Sequence, residues 1–139
     1  MDEFIKIENE PLNTEAAIAL VEDAGAGAVN VFIGTVRNQT NSKHVIGLEF
    51  ESYIPMALKE MSKIAQQAKD KWPITAIAIH HRVGKLKIGE LPVVIAVSSP
   101  HRKAGFEACQ FAIDTLKETV PIWKKELFED GSHWVAAHP

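Results

Sequence analysis

Apolar positions recur with two different periods along the chain. A period of two marks an extended strand, and returns at every third and fourth residue mark a helix. "FIKIE" (4–8) reads as a short first strand, and "NTEAAIALVED" (13–23) as a helix capped by Asn13 or Thr14, with Glu15 in its first turn and "GAGA" (25–28) ending it. In "AVNVFIGTVRN" (28–38), Val29, Val31 and Ile33 alternate with Asn30, Phe32 and Gly34, which predicts a strand running into the polar loop 38–44. "VIGLEFESY" (45–53) alternates again, with Leu48 and Phe50 opposite Glu49 and Glu51. Pro55 suits the first turn of a second helix. Met61, Ile64, Ala65, Ala68 and Trp72 then return at helical spacing until Pro73. "ITAIAIHHRVG" (74–84) and "LPVVIAVSS" (91–99) are β-rich, with a candidate hairpin, "GKLKIGE", between them. A third helix is expected over about 100–120, and "EDGSHWV" (129–135) predicts a turn and a final strand. Strands that follow one another in pairs favour an α+β fold with a largely antiparallel sheet over a doubly wound one.

Composition narrows the function classes. The 139 residues suit one domain, 1–139, large enough to bury a core. The net charge of −3 argues against bulk binding to nucleic acid, while leaving room for a local basic patch. Cys109 is the one cysteine, so neither an intrachain disulfide nor a CxxC pair can form. The acidic start "MDEFIKIENEPL" does not read as a signal peptide, and no apolar run approaches the roughly 18 residues of a membrane span. A cytoplasmic protein, free of membrane, is expected.

Candidate chemistry concentrates in three places. In "SSPHRKAGF" (98–106), Ser99 as cap and Pro100 as first helical residue would put His101 and Arg102 in the first turn. Cations there oppose the helix dipole, so they fit either a bound anion such as phosphate or a solvated turn. Further along, Phe106, Cys109, Ile113, Leu116 and Val120 form an apolar stripe, which makes Cys109 a core thiol rather than a nucleophile. Lys117 borders the stripe, either snorkelling to water or facing a desolvated cleft where its pKa would fall. After Pro121, Ile122 and Trp123 form a wedge that would hold Lys124 and Lys125 near the last helical turn, around an anion. Arg37 closes a strand after the small Gly34, as a phosphate ligand or as a solvated strand end. His80 and His81, adjacent in a strand, face opposite sides and cannot pair on a metal. No HExxH, phosphate-binding or dinucleotide motif occurs, and neither metal nor cofactor is expected.

Taken together, "GAVNVFIGTVRN", "LEFESY", "HRVG", "SSPHRKAGFEACQFAIDTLK", "VPIWKKE" and "DGSHWV" resemble the large, catalytic subunit of molybdopterin synthase, from about Pro11 to Val135. The resemblance implies an α/β hammerhead with an additional antiparallel sheet. It also implies sulfur transfer from the C-terminal Gly-Gly thiocarboxylate of a small ubiquitin-like subunit to cyclic pyranopterin monophosphate, within a heterotetramer built on a homodimer. The family's catalytic lysines fall on Lys117 and Lys124. Its substrate-binding positions fall on Thr35, Val36, Arg37, His101, Arg102, Lys125 and Glu126. Two departures stand out. Many members carry an arginine shortly after the final Trp-Val, where this chain has His138, and "FESY" replaces the usual Tyr-Glu-Ala-Tyr. A pterin-phosphate carrier without catalysis, or a nucleic-acid binder, would be the competing functions.

Overall fold

Strand ladders set the frame. The structure, a computed structural model, describes residues 3–136, so the expectation attached to His138 lies outside the described residues. In chain order the elements are β1 (Ile5–Glu8), α1 (Thr14–Val21), β2 (Ala28–Gly34), β3 (Gln39–Thr40), β4 (Lys43–Ser52), α2 (Ile54–Lys71), β5 (Ala76–Arg82), β6 (Gly84–Lys87), β7 (Val93–Ser99), α3 (Arg102–Thr119), β8 (Ile122–Phe128) and β9 (His133–Ala136). One sheet has the order β1-β5-β7-β2, antiparallel except for the parallel β1–β5 pair. In the other, β4 lies between β6 and β8, β9 extends beyond β8, and β3 forms a hairpin with the start of β4. The architecture is α+β, as expected.

Both faces of the first sheet are covered, which explains why β7, "VVIAVSS", is buried at every position. Val21 of α1 packs on Ala78 and Ala96 on one face. Met61 and Ile64 of α2, with Ala112 and Leu116 of α3, share a cluster with Ile77, Ile79 and Ile95 on the other. The same cluster takes in Leu48, Phe50 and Leu86 of the second sheet, so one core binds the two sheets together. Local signals behave as physics dictates. Asn13 Oδ1 accepts the Ala16 N–H at 3.0 Å, and Pro55 sits in the first turn of α2.

Four expectations need correction. β2 stops at Gly34, so Arg37 stands three residues beyond the strand rather than closing it. α3 starts at Arg102 with His101 as its cap, because Ser98 and Ser99 are held in the β2–β7 ladder and the Ser99 carbonyl accepts from Gly27 N. Ser99 Oγ caps nothing; it donates to the His101 carbonyl at 2.7 Å. The 84–90 segment is no simple hairpin, since β6 leaves the β5–β7 pair and crosses to β4. Ile122 and Trp123, expected as a wedge, instead open the strand β8, which runs along nearly the whole of β4.

Candidate active site

β8 places its lysines by alternation. Its register sets Ile122, Lys124 and Glu126 opposite Ser52, Phe50 and Leu48 on the inner face, and Trp123 and Lys125 opposite Glu51 and Glu49 on the outer face. Lys124 and Lys125 therefore point to opposite sides of the sheet, although the sequence led us to place both around one anion. Lys124 is half-buried and Glu126 is 3% exposed on the same side. Lys117 reaches the same place from the last turn of α3, where a cation also matches the helix dipole.

The two lysines border a narrow cavity of about 100 Å³ between the sheets, whose walls include Phe32, Gly34, Thr35, Phe50 and His81. Gly34 is required by close approach: a Cβ there would lie 2.6 Å from Val93 Cγ1. Thr35 lines the cavity, and the charge of Arg37, two residues further on, is felt at Lys124. Val36 is buried, donates its N–H to Glu90 O at 3.0 Å and accepts from Gly89 N at 2.9 Å, so it anchors the segment and offers no side chain to the cavity. Glu90 is itself fixed, accepting from Lys87 N at 2.6 Å and from the Arg82 guanidinium at 3.3 Å. Gly89, with φ of +86°, makes the turn that this anchoring needs.

The electrostatics identify what the cavity favours. Burial pushes the Lys124 pKa down, Glu126 opposes this, and the charges of Lys117 and Arg37 push it down further. Lys117, Lys124 and Arg37 thus share one electrostatic neighbourhood. Among the described residues, none of the three is ion-paired with a carboxylate. A larger surface hollow of about 390 Å³ near Lys43 and His44 differs in this respect. There Asp130 and Glu129 sit 3.6 Å from those two residues and take up the positive charge. At the inner cavity Lys117, Lys124 and Arg37 act on one another, and Glu126 is the one carboxylate named against Lys124, so an anion would be favoured there.

His101 and Arg102 are not brought to this cavity within the chain. They lie exposed at the opposite end of α3. At 1.5 Å per residue, the 15 residues from Arg102 to Lys117 span about 22 Å. Cys109 is buried, its Sγ is 4.0 Å from the Ile95 carbonyl, and burial raises its pKa to about 11, so it stays a thiol. Among the described residues no cluster of His, Cys, Asp and Glu is placed to hold a metal, and no helix is long and apolar enough to cross a membrane.

His81 is the cavity residue that sequence reading passed over as a site. Its signal was an imidazole at a core-facing position of β5, in register with Ile79 and Ile77. Burial drives its pKa from 6.5 down to about 4. Between those values the unfolded chain binds a proton that the folded chain refuses. Stability is therefore complete above pH 6.5 and erodes as pH falls toward 4, by on the order of 3 kcal/mol. His80, also depressed by burial, acts in the same direction. Urea midpoints of the wild type should fall steeply across this window, and those of His81→Gln should fall less. Parallel curves would contradict the assignment.

The fold and site define an α+β protein with a cleft between two sheets that is bordered by Lys117 and Lys124. The family model described as MoaE protein matches residues 7–119. A molybdopterin synthase catalytic subunit from Bacillus subtilis is 51% identical over 133 residues, covering 96% of this chain and 85% of that protein. The crystal structure of molybdopterin synthase from Staphylococcus aureus superimposes with a TM-score of 0.93 at 44% identity, covering 99% of both chains. A complex of subunits 1 and 2 of molybdopterin-converting factor from Helicobacter pylori matches with a TM-score of 0.74 at 28% identity, covering 96% of this chain and 92% of that one. The chain belongs to the MoaE family.

Proposed function

We propose that this chain is the catalytic subunit of a molybdopterin synthase. It takes sulfur from the thiocarboxylated C-terminal glycine of a small ubiquitin-like subunit and adds it to cyclic pyranopterin monophosphate, forming the dithiolene of molybdopterin. The observation that carries this reading is the gathering of Arg37, Lys117 and Lys124 into one electrostatic neighbourhood at a cavity, in a protein with a net charge of −3. Its lone thiol is buried away from solvent, so sulfur must arrive on a partner.

The thiocarboxylate sulfur is the nucleophile: as each C–S bond forms on the substrate side chain a C–O bond there breaks and its oxygen leaves with a proton, and water then cleaves the thioester, leaving sulfur on the substrate and a carboxylate on the spent tail. Lys117 stabilises the negative charge that develops on the acyl oxygen. Lys124, whose ammonium burial makes easier to deprotonate, is placed to exchange protons with the reacting groups. Arg37 takes the phosphate at the rim by forked hydrogen bonds, with Thr35 beside it and Val36 anchoring the segment. Glu126 holds Lys124 in place by charge. His101 and Arg102, about 22 Å away along α3, serve the pocket of a second copy in a homodimer, and a small subunit at each end completes a heterotetramer. Lys125, on the outer face, contributes to binding across that assembly rather than within its own cavity. The whole chain works as one domain in the cytoplasm, where reducing conditions preserve the thiocarboxylate.

Incubating the purified chain with thiocarboxylated small subunit and cyclic pyranopterin monophosphate tests the reading. Dithiolene product and desulfurised small subunit are expected. Substrate recovered unchanged, though bound, would make the chain a carrier and overturn the assignment.

A further inference from the structure

The cavity holds one polar group to which the proposed chemistry gives no task. His81 is 1% exposed, and its Nδ1 lies 2.8 Å from the Arg82 carbonyl. A carbonyl oxygen only accepts, so Nδ1 carries the proton and Nε2 keeps its lone pair. The Phe50 ring packs edge-on against the imidazole, with centroids 5.2 Å apart. Among the described residues nothing donates to Nε2, and His81 lines the cavity together with Lys117 and Lys124. The hollow thus presents two ammonium groups and one neutral acceptor between apolar walls.

Size bears on what enters. A hollow of about 100 Å³ has room for several waters, and so for a glycine-sized chain end. A terminal glycine carries an anionic carboxyl group and, two bonds from its carbonyl carbon, a single N–H donor. The ammoniums match the first and the bare Nε2 matches the second. Resting on the reading that a glycine tail enters this pocket, we propose that Nε2 of His81 accepts the last peptide N–H of that tail and sets the depth at which its acyl carbon meets Lys117 and Lys124. His81 is then a positioning residue. Burial keeps its pKa at about 4, so the acceptor stays neutral at physiological pH.

The test pairs both partners of this hydrogen bond. Small subunit ending in Gly-Gly is prepared with the native last amide and, by semisynthesis, with an ester oxygen replacing that N–H. Calorimetry then measures each form against wild type, His81→Asn and His81→Gln, with thermal unfolding of every variant recorded alongside. The ester should weaken binding to wild type about fivefold to tenfold. His81→Asn, which keeps a donor for the Arg82 carbonyl but has no acceptor at the Nε2 position, should lose as much with the amide tail and little more with the ester. His81→Gln, which restores an acceptor there, should recover most of the affinity. Equal binding of ester and amide tails to wild type would overturn the proposal even if the variants fail to fold, and so would losses that simply multiply in the His81→Asn–ester combination. Wild type that binds neither tail would overturn the proposed function itself.

Discussion

Lys117→Ala should fold normally and lose about 10²–10⁴-fold in the rate of dithiolene formation, the usual yield of a positioned charge or proton-transfer group. Its side chain is exposed and unpaired, so its removal should move stability by no more than about 0.5 kcal/mol. Single-turnover assays with saturating thiocarboxylated small subunit measure the first quantity, and urea denaturation the second. Lys117→Arg then separates two roles: the charge persists, but a guanidinium does not give up a proton. Partial recovery by arginine assigns Lys117 to charge stabilisation; no recovery assigns it to proton transfer. Wild-type rates in Lys117→Ala would remove it from the site.

Arg102→Ala and Lys117→Ala should each be strongly impaired alone and recover activity when mixed. Loss of a phosphate-binding guanidinium lowers the rate about tenfold to a hundredfold. If Arg102 serves the pocket that holds the other copy's Lys117, a mixed dimer has one pocket missing both groups and one missing neither. Random exchange makes half the dimers mixed, so about a quarter of wild-type activity should return. Subunits are exchanged under mild dissociating conditions and assayed after re-equilibration. No gain above the average of the separate variants would place both residues at the same copy's pocket or put Arg102 outside it. The length of α3 argues against the first outcome.

Much of the fold was legible because local signals agreed with the tertiary structure. The Asn13 cap, Pro55 in the first turn of α2, and the alternation of β4 all report choices made by backbone chemistry. The pattern failed where the site begins. In β8 the inner-facing positions are Ile122, Lys124, Glu126 and Phe128, so two charges stand where a core strand would carry apolar residues. A strand whose inner face is half charged reads as a loop, and the charge is there because the cavity is there. Phe106 failed in the opposite sense. Its spacing continues the stripe of Cys109, Ile113 and Leu116, yet it is 62% exposed, because among the described residues no element covers that turn of α3. The core assignment of Cys109 followed from spacing alone. The closeness of Arg37, Lys117 and Lys124 depends on three segments meeting between two sheets. No local period encodes that meeting; the wedge after Pro121 suggested part of it, with Arg37 left open as a phosphate ligand, and the family resemblance brought all three together. His81 was hidden for the same reason: its neighbours in the cavity come from the other sheet and from α3.

A crystal structure of this chain with the small subunit, its Gly-Gly tail in place, tests the central claim most directly. The account predicts that the tail's terminal carboxyl group sits within hydrogen-bond reach of the Lys117 and Lys124 ammoniums, with Arg37 facing the adjoining rim. A tail that ends elsewhere, for instance in the hollow beside Lys43 and Asp130, with the inner cavity left to solvent, would contradict it.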